Sequence, residues 1–330
     1  MKYIRYRPAF SMIELIIVMV VLGIVSSISA SLIAKVYESY IIQRAMHKAS
    51  VSTELASTQI TNRLTYGIGN SMIARNPTAS YRNMNSIHSI QNLHLTTSEI
   101  QDFSALEWIG YDNDSFSANA EPGWSSYCDV ARSTITTINT PGSTLATATD
   151  IISSLGAVGG QNTRITDGIL IFGGGEYSNF QFYDPSCMGF VNTLCSSQIE
   201  GVTNNTNTIT IRDNTDSNHH RVLTDRYRLA WSAYILVPGF LDDNGDFNIA
   251  QTNPNTGTSD LMLYSNYQPW DGETFLNGDR NLIARNVTQF KFYGQGSVVR
   301  FKICIREEIG LDNDADNDNL GICKEKVVIK

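Results

Sequence analysis

The sequence predicts an α+β fold in which a long N-terminal α-helix packs on a C-terminal, antiparallel β-rich globular domain. Two observations predict this fold. Residues 10–69 join a long apolar run to a stretch whose apolar residues recur at helical spacing. Residues 70–330 are rich in Ser, Thr, Asn and Asp, and they contain short segments in which polar and apolar residues alternate, as they do in half-buried strands.

The first element is a basic leader, residues 1–9, followed by an apolar helix at residues 10–36. About 20 apolar residues span a bilayer, so the second segment predicts a single membrane crossing. Three basic residues and no acidic residue precede this run: Lys2, Arg5 and Arg7. Because positive flanks stay in the cytoplasm, the sequence predicts a cytoplasmic N-terminus and an exported domain at residues 70–330.

Glu14 is the anomaly of the apolar run. A carboxylate at the centre of a membrane helix costs about 2.5–3.5 kcal/mol, so its presence predicts a partner at the same depth. Cleavage between Ala9 and Phe10 would create an amine four residues, about one helical turn, before Glu14. Within one chain this pair is geometrically poor, whereas between staggered neighbours the amine of one chain reaches the carboxylate of the next.

This N-terminus resembles that of the type IV pilin superfamily. The resemblance rests on Ala9, Phe10, Ser11, Met12, Ile13, Glu14, Leu15 and Ile16. It implies that prepilin peptidase removes the leader after Ala9, that Phe10 becomes N-methylated, and that Glu14 directs assembly. Ala9 replaces the glycine usual before the cut. The run also lacks the proline of many major pilins, which favours a minor subunit or pseudopilin. A secretory signal peptide and an uncleaved signal anchor are the alternatives, and neither explains Glu14.

The second half of the helix, residues 37–69, is predicted to be an amphipathic extension. No proline or glycine occurs from Tyr37 to Leu64. Seven residues fall on one stripe at a spacing near four: Tyr37, Ile41, Ala45, Ala49, Ala56, Ile60 and Leu64. A continuous helix from Phe10 to Leu64 would be roughly 80 Å long. Two separate helices are the alternative.

The exported domain contains six segments that favour strands: residues 163–174, 207–213, 226–239, 282–294, 297–307 and 323–330. Residues 132–164, dense in Thr and Ser, predict a surface loop or insertion, with an ordered edge as the alternative. The segment VTQFKFYGQGSVVRFKICI, which begins at Val287, resembles the late hairpin of J-type minor pseudopilins of type II secretion systems.

Five cysteines suit an exported domain, because disulfides persist in oxidising compartments. Cys304 and Cys323 flank an acidic turn between two predicted strands, which makes a cross-strand bridge plausible. A bridge between Cys187 and Cys195 would close a short loop, and Cys128 would then be the fifth, unpaired cysteine of the prediction. The spacings support neither a zinc site nor a redox motif.

Two acidic loops are candidate calcium sites, because alternating carboxylates on a tight turn supply several oxygen ligands at once. Their residues are Asp242, Asn244 and Asp246 in the first loop, and Asp312, Asp314, Asp316 and Asp318 in the second. Neither loop has the EF-hand pattern. Solvated hairpin turns, which favour Asp and Asn, are the alternative interpretation. Calcium is the one cofactor that the sequence suggests.

The composition argues against a nucleic-acid-binding protein, and the scattered histidines and glycines argue against an enzyme. The formal charge is −8, and removal of the three basic leader residues gives 21 − 32 = −11 for the mature chain, so we expect no nucleic-acid partner. His219 and His220 lie in a polar segment that reads as an exposed turn, and Gly173–Gly175 lacks the residues of a phosphate loop. No set of residues in the sequence has the pattern of a catalytic site, so the sequence does not support an enzyme, such as a periplasmic enzyme anchored in the membrane.

Together these patterns and the resemblance predict a minor pilin-like subunit of the inner membrane, with its C-terminal domain in the periplasm. Its residues 10–36 would form the core of a filament, either a type II secretion pseudopilus or a type IV pilus, and the subunit would sit at the tip. The expected partners are other pilin-like subunits, prepilin peptidase and an inner-membrane assembly platform. A tip adhesin of a type IV pilus is the alternative.

Overall fold

The computed structural model describes residues 11–90, 102–116, 121–157, 162–173, 185–212, 223–307 and 321–330. The helices considered below are α1 (Met12–Thr65), α2 (Asn113–Phe116) and α3 (Leu145–Gly156). The strands are β1 (Ile73–Arg75), β2 (Ile87–Ser89), β3 (Ala105–Gly110), β4 (Thr137–Asn139), β5 (Ile169–Phe172), β6 (Ser197–Thr203), β7 (Thr208–Ile211), β8 (Tyr227–Ala230), β9 (Ser232–Leu241), β10 (Phe247–Ile249), β11 (Ser259–Tyr267), β12 (Asp279–Gln295), β13 (Val298–Arg306) and β14 (Gly321–Ile329).

Helix α1 is a single unbroken helix of 54 residues. The prediction of one continuous helix is therefore confirmed from Met12 to Thr65, and the alternative of two separate helices is wrong. At 1.5 Å per residue the helix is about 81 Å long. Gly67 ends it, donating its N–H to the Leu64 carbonyl at 2.9 Å. A Cβ at Gly67 would lie 2.8 Å from Cδ1 of Trp108, so only glycine lets the chain turn this closely onto the sheet.

The main sheet is antiparallel, and its strand order is β14-β13-β12-β11-β9-β3-β1-β2, with β10 paired to β9. The second half of α1 packs on one face of this sheet, against β12, β13 and β14. Ala56, Ile60 and Leu64 of the helix enter a core that includes Trp108 and Phe301. The predicted α+β architecture, a helix packed on antiparallel strands, is therefore confirmed.

The hairpin predicted near the C-terminus is also present. β12 and β13 pair in antiparallel register from Val287 opposite Ile305 to Gln295 opposite Val298. Gly296 makes the turn with φ +57°, a left-handed conformation that glycine adopts without strain.

A second antiparallel sheet has the strand order β4-β7-β6-β5-β8 and its own core. A third apolar cluster joins the two sheets, because Ile73 and Ile109 of the main sheet pack with Ile169 and Ile171 of β5. Three of its five strands, β5, β7 and β8, lie within segments that the sequence predicts as strands, whereas β4 and β6 do not.

The prediction of a loop over residues 132–164 is wrong where the structure describes them, since they contain β4 and the twelve-residue helix α3. Leu145, Ala148 and Ile152 of α3 are fully buried at helical spacing. The hydroxyl of Thr149 donates to the Leu145 carbonyl at 2.8 Å, so its polar group is satisfied inside the helix. The density of Thr and Ser concealed the apolar stripe.

The face of the main sheet opposite α1 carries a buried ion pair. Arg75 of β1 is 1% exposed and Glu107 of β3 is 0% exposed, and the Arg75 Nε–H donates to Glu107 Oε2. The hydroxyls of Tyr81 and Tyr267 donate to Glu107 Oε1 at 2.5 and 2.7 Å. Arg75 Cζ also lies 3.8 Å from the centre of the Tyr81 ring. The carboxylate is thus neutralised and hydrogen-bonded on both oxygens.

Candidate assembly surface

The first half of α1 is an apolar rod that contacts no other described part of the chain. Its large apolar residues, from Met12 to Val36, are each 53–87% exposed. Within the described residues, α1 is the one helix long and apolar enough to cross a membrane. An apolar surface of this length requires lipid or protein around it.

Glu14 has partners within its own chain at the start of this rod. Its Oε2 accepts the Ser11 N–H at 2.9 Å and the Ser11 hydroxyl at 3.1 Å, while the Glu14 N–H donates to Ser11 Oγ at 3.3 Å. These reciprocal bonds form a capping box, with Ser11 as the N-cap. The carboxylate also lies at the positive end of the helix dipole, which favours its charge.

Ser11 is therefore a residue that the sequence reasoning missed as a partner of Glu14. The signal was present, because Ser-x-x-Glu before an apolar run is the sequence pattern of a capping box. The predicted cleavage and methylation positions, Ala9 and Phe10, lie outside the described residues. The pairing of Glu14 with a neighbouring chain's amine stays a prediction.

Ion pairs join the second half of α1 to the edge strand β14. Glu54 accepts hydrogen bonds from the ammonium groups of Lys324 and Lys326, the latter at 2.9 Å. Next to it on the helix, the hydroxyl of Thr53 donates to the Ile322 carbonyl at 3.3 Å. Side chains of the helix thus engage both the backbone and the lysines of the C-terminal strand.

These two lysines lower the pKa of Glu54 to about 2, mainly through their hydrogen bonds. A depressed carboxyl pKa contributes stability above the ordinary pKa of 4.5 and loses it as the pH falls toward 2. We therefore expect Glu54→Gln to lower the melting temperature at pH 7 and to match the parent chain near pH 2. The measurement is thermal unfolding of the full chain in detergent between pH 7 and 2. Glu38→Gln, at an exposed site on the same helix, is the control, and a pH-independent difference for Glu54→Gln would contradict the assignment.

Both predicted disulfides are present, Cys187–Cys195 and Cys304–Cys323. The second joins directly opposed residues of β13 and β14, as the hairpin interpretation required. Cys128 carries a buried thiol, 3.4 Å from the Ser133 hydroxyl, and burial raises its pKa. These bridges hold the edge strand and the junction of the two sheets.

The first acidic loop is the turn between β9 and β10. Asp242 Oδ1 accepts the N–H groups of Asn244 and Asp246 at 3.0 and 2.8 Å, which is the role of Asp in a hairpin turn. No group of three His, Cys, Asp or Glu side chains is placed to hold a metal ion in the ranges that the structure covers. The second loop, with Asp312, Asp314, Asp316 and Asp318, lies outside those ranges, as do His219 and His220. Calcium binding at either loop stays a prediction.

Comparison with known families gives one match. Residues 4–30 match the family model described as the prokaryotic N-terminal methylation motif. Neither a curated protein nor a solved structure was found that matches the chain. The matched segment includes Ala9, Phe10 and Glu14, together with most of the apolar rod, and it supports a type IV pilin-like protein.

Proposed function

We propose that this chain is a minor pilin-like subunit that is cut after Ala9, N-methylated at Phe10, and assembled through residues 10–36 into a short filament. The observation that carries the proposal is the methylation motif at residues 4–30, which coincides with an apolar rod that has no partner within the described chain. Members of families with this motif are structural subunits, and we propose no enzymatic activity.

Assembly would move the apolar rod from the lipid bilayer into a bundle of similar helices. Both environments are apolar, so hydrophobic burial alone gives little preference for a particular stagger. A charge pair at a fixed depth does give such a preference, because an ionised group in a membrane is costly until it is paired. The amine of a neighbour's Phe10 meeting Glu14 would therefore select the register of the subunit.

The finer assignment is a pseudopilin of a type II secretion system, placed at the filament tip. It is supported by the absence of proline from the apolar run and by the likeness of the β12–β13 hairpin segment to J-type pseudopilins. A single pass through the inner membrane, with the globular domain in the periplasm, follows from the basic leader. Prepilin peptidase, an assembly platform and other pilin-like subunits are the proposed partners.

A tip adhesin of a type IV pilus is the second candidate within the same superfamily. Gene neighbourhood distinguishes the two candidates. Neighbouring genes for a secretin, a secretion ATPase and further pseudopilins favour secretion, whereas genes for a retraction ATPase favour the pilus.

Processing gives the direct test of the proposal. In membranes from cells with an active prepilin peptidase, we expect the intact mass to correspond to a chain that starts at Phe10 and carries one added methyl group. In a peptidase-deficient strain we expect the full chain from Met1. Ala9→Gly should be processed in the same way, because it restores the residue usual at this position. A chain that starts within residues 27–31 in both strains would identify a signal peptide and overturn the proposal.

A further inference from the structure

A cleft of about 540 Å³ opens beside the C-terminal end of α1. Its walls are the last two turns of the helix, the start of α2, and parts of β3, β9, β11 and β12 of the main sheet. It lies far along α1 from Glu14, on the sheet face opposite the Arg75–Glu107 pair. The assembly role assigned to α1 makes no use of it.

The floor of the cleft is aromatic and fixed in position. Tyr234 stacks on the fully buried Trp108, with ring centroids 5.8 Å apart and planes 17° from parallel. A Cβ at Gly110 would lie 2.5 Å from Cε2 of Tyr234, so the absence of a side chain there lets the ring lie against β3. Leu263 and Ile283 complete the apolar floor.

The rim of the cleft is polar and carries both signs of charge. Its exposed polar side chains are Gln59, Asn62, Arg63, Asp114 and Asn281. The guanidinium of Arg63 lies over the Tyr234 ring, 5.8 Å from its centre. Burial raises the pKa of Tyr234; Arg63 opposes that rise and Asp114 adds to it. Amide, carboxylate and guanidinium groups therefore surround an apolar base, and they offer hydrogen-bond donors and acceptors together.

One aromatic ring stands at the mouth of the cleft. Tyr66, which follows the last residue of α1, is 40% exposed. It meets Tyr111 edge-to-face at 5.7 Å, and the Arg228 guanidinium lies over Tyr111 at 4.5 Å. Tyr111 therefore contacts two neighbours, whereas the 40% exposure of Tyr66 leaves part of its ring open to a ligand.

These features fit a sugar better than a peptide or a simple ion. A pyranose presents C–H groups on its faces, which pack on an aromatic ring, and hydroxyls at its edge, which need donors and acceptors at once. The cleft has the volume of small-ligand pockets, about 300–1,000 Å³, whereas an extended peptide binds along a free strand edge. The opposite charges of Arg63 and Asp114 favour a neutral ligand.

We propose that this cleft binds a neutral saccharide of one or two rings, stacked on Tyr66 and hydrogen-bonded by Asn62 and Asp114. The inference goes beyond filament assembly and does not depend on it. A subunit that holds a sugar at the end of its helix would carry a recognition site on the globular domain, at a distance from the apolar rod.

The test uses the full chain in a detergent without a sugar headgroup, such as an alkyl amine oxide, with four probes: maltose, cellobiose, lactose and N,N′-diacetylchitobiose. We expect saturation-transfer NMR and calorimetry to detect at least one of them. Tyr66→Ala and Asn62→Ala should each weaken that binding by about tenfold, as expected when a stacking or hydrogen-bonding contact is lost. Tyr66→Phe should keep it.

Gln43→Ala is the matched control for Asn62→Ala, because it removes an exposed amide from the same helix outside the cleft. Its affinity and melting temperature should equal those of the parent chain. The proposal is overturned if none of the four sugars binds, or if Tyr66→Ala binds as tightly as the parent. Thermal melting of each variant shows that a loss of binding is not a loss of folding.

Discussion

If the chain assembles as proposed, replacing Glu14 with alanine is expected to lower its incorporation into filaments by one to two orders of magnitude while leaving it in the membrane. The physical reason is that an ionised carboxylate in the bilayer costs up to about 2.5–3.5 kcal/mol, the value for a helix centre, and a difference of about 1.4 kcal/mol is tenfold in an equilibrium. Without the carboxylate, the helix carries no ionised group whose pairing with an amine would favour assembly. The measurement is the ratio of subunit in sheared filaments to subunit in membranes, with Glu14→Gln as the isosteric variant.

Ser11→Ala separates two roles of Glu14, capping its own helix and pairing with the amine of a neighbouring chain. This variant removes the hydroxyl half of the capping box but leaves the carboxylate and the Ser11 N–H. If Glu14 acts between chains, Ser11→Ala should assemble at close to the parent level. Equal losses in the Ser11 and Glu14 variants would show that the cap, rather than a neighbour's amine, carries the effect.

The capping box also affects how a neighbour's amine would bind Glu14. Cleavage between Ala9 and Phe10 leaves the Phe10–Ser11 peptide intact, so the Ser11 N–H remains a donor to Glu14 in the processed chain. A neighbour's amine therefore has to join or displace an existing hydrogen bond. A charged donor makes a hydrogen bond roughly twice as strong as a neutral one, so in an apolar bundle the neighbour's amine can compete with the Ser11 N–H for the carboxylate.

The helix and the C-terminal strands could be predicted from the sequence because their patterns are local. The long apolar run without proline and the alternating segments of β12 to β14 each show their own periodicity. The cross-strand disulfide followed from the position of Cys304 and Cys323 on either side of one turn.

The same alternation predicted β5, β7, β8 and most of β9, whereas other elements depend on contacts that no single segment displays. β3, for example, is buried at all six positions, so it has no alternation to recognise. The apolar stripe of helix α3 lies among hydroxyl residues, and the walls of the cleft come from positions 59 to 283. Glu107 shows the same limit, because its partner Arg75 is 32 residues away and only the sheet brings them together.

That buried pair carries the largest expected effect on stability. We expect Arg75→Met to lower the free energy of unfolding by about 3–5 kcal/mol, because it leaves the Glu107 charge buried without its cation. The hydroxyls of Tyr81 and Tyr267 cannot replace the cation. Burial, and then the charge of Glu107, raise the pKa values of both tyrosines well above the usual range, so they remain neutral donors. Chemical denaturation of the full chain in detergent, followed by tryptophan fluorescence, gives the measurement.

The double variant Arg75→Met/Glu107→Gln decides whether charge is the cause. The amide oxygen introduced at position 107 would still accept from the tyrosine hydroxyls, and no unpaired charge would remain, so the double variant should be more stable than either single variant. Arg300→Met is the control, since Arg300 is 61% exposed and lies 4.0 Å from Glu325, and it should change stability by less than about 1 kcal/mol. If the single losses simply add in the double variant, packing rather than charge holds this face of the sheet.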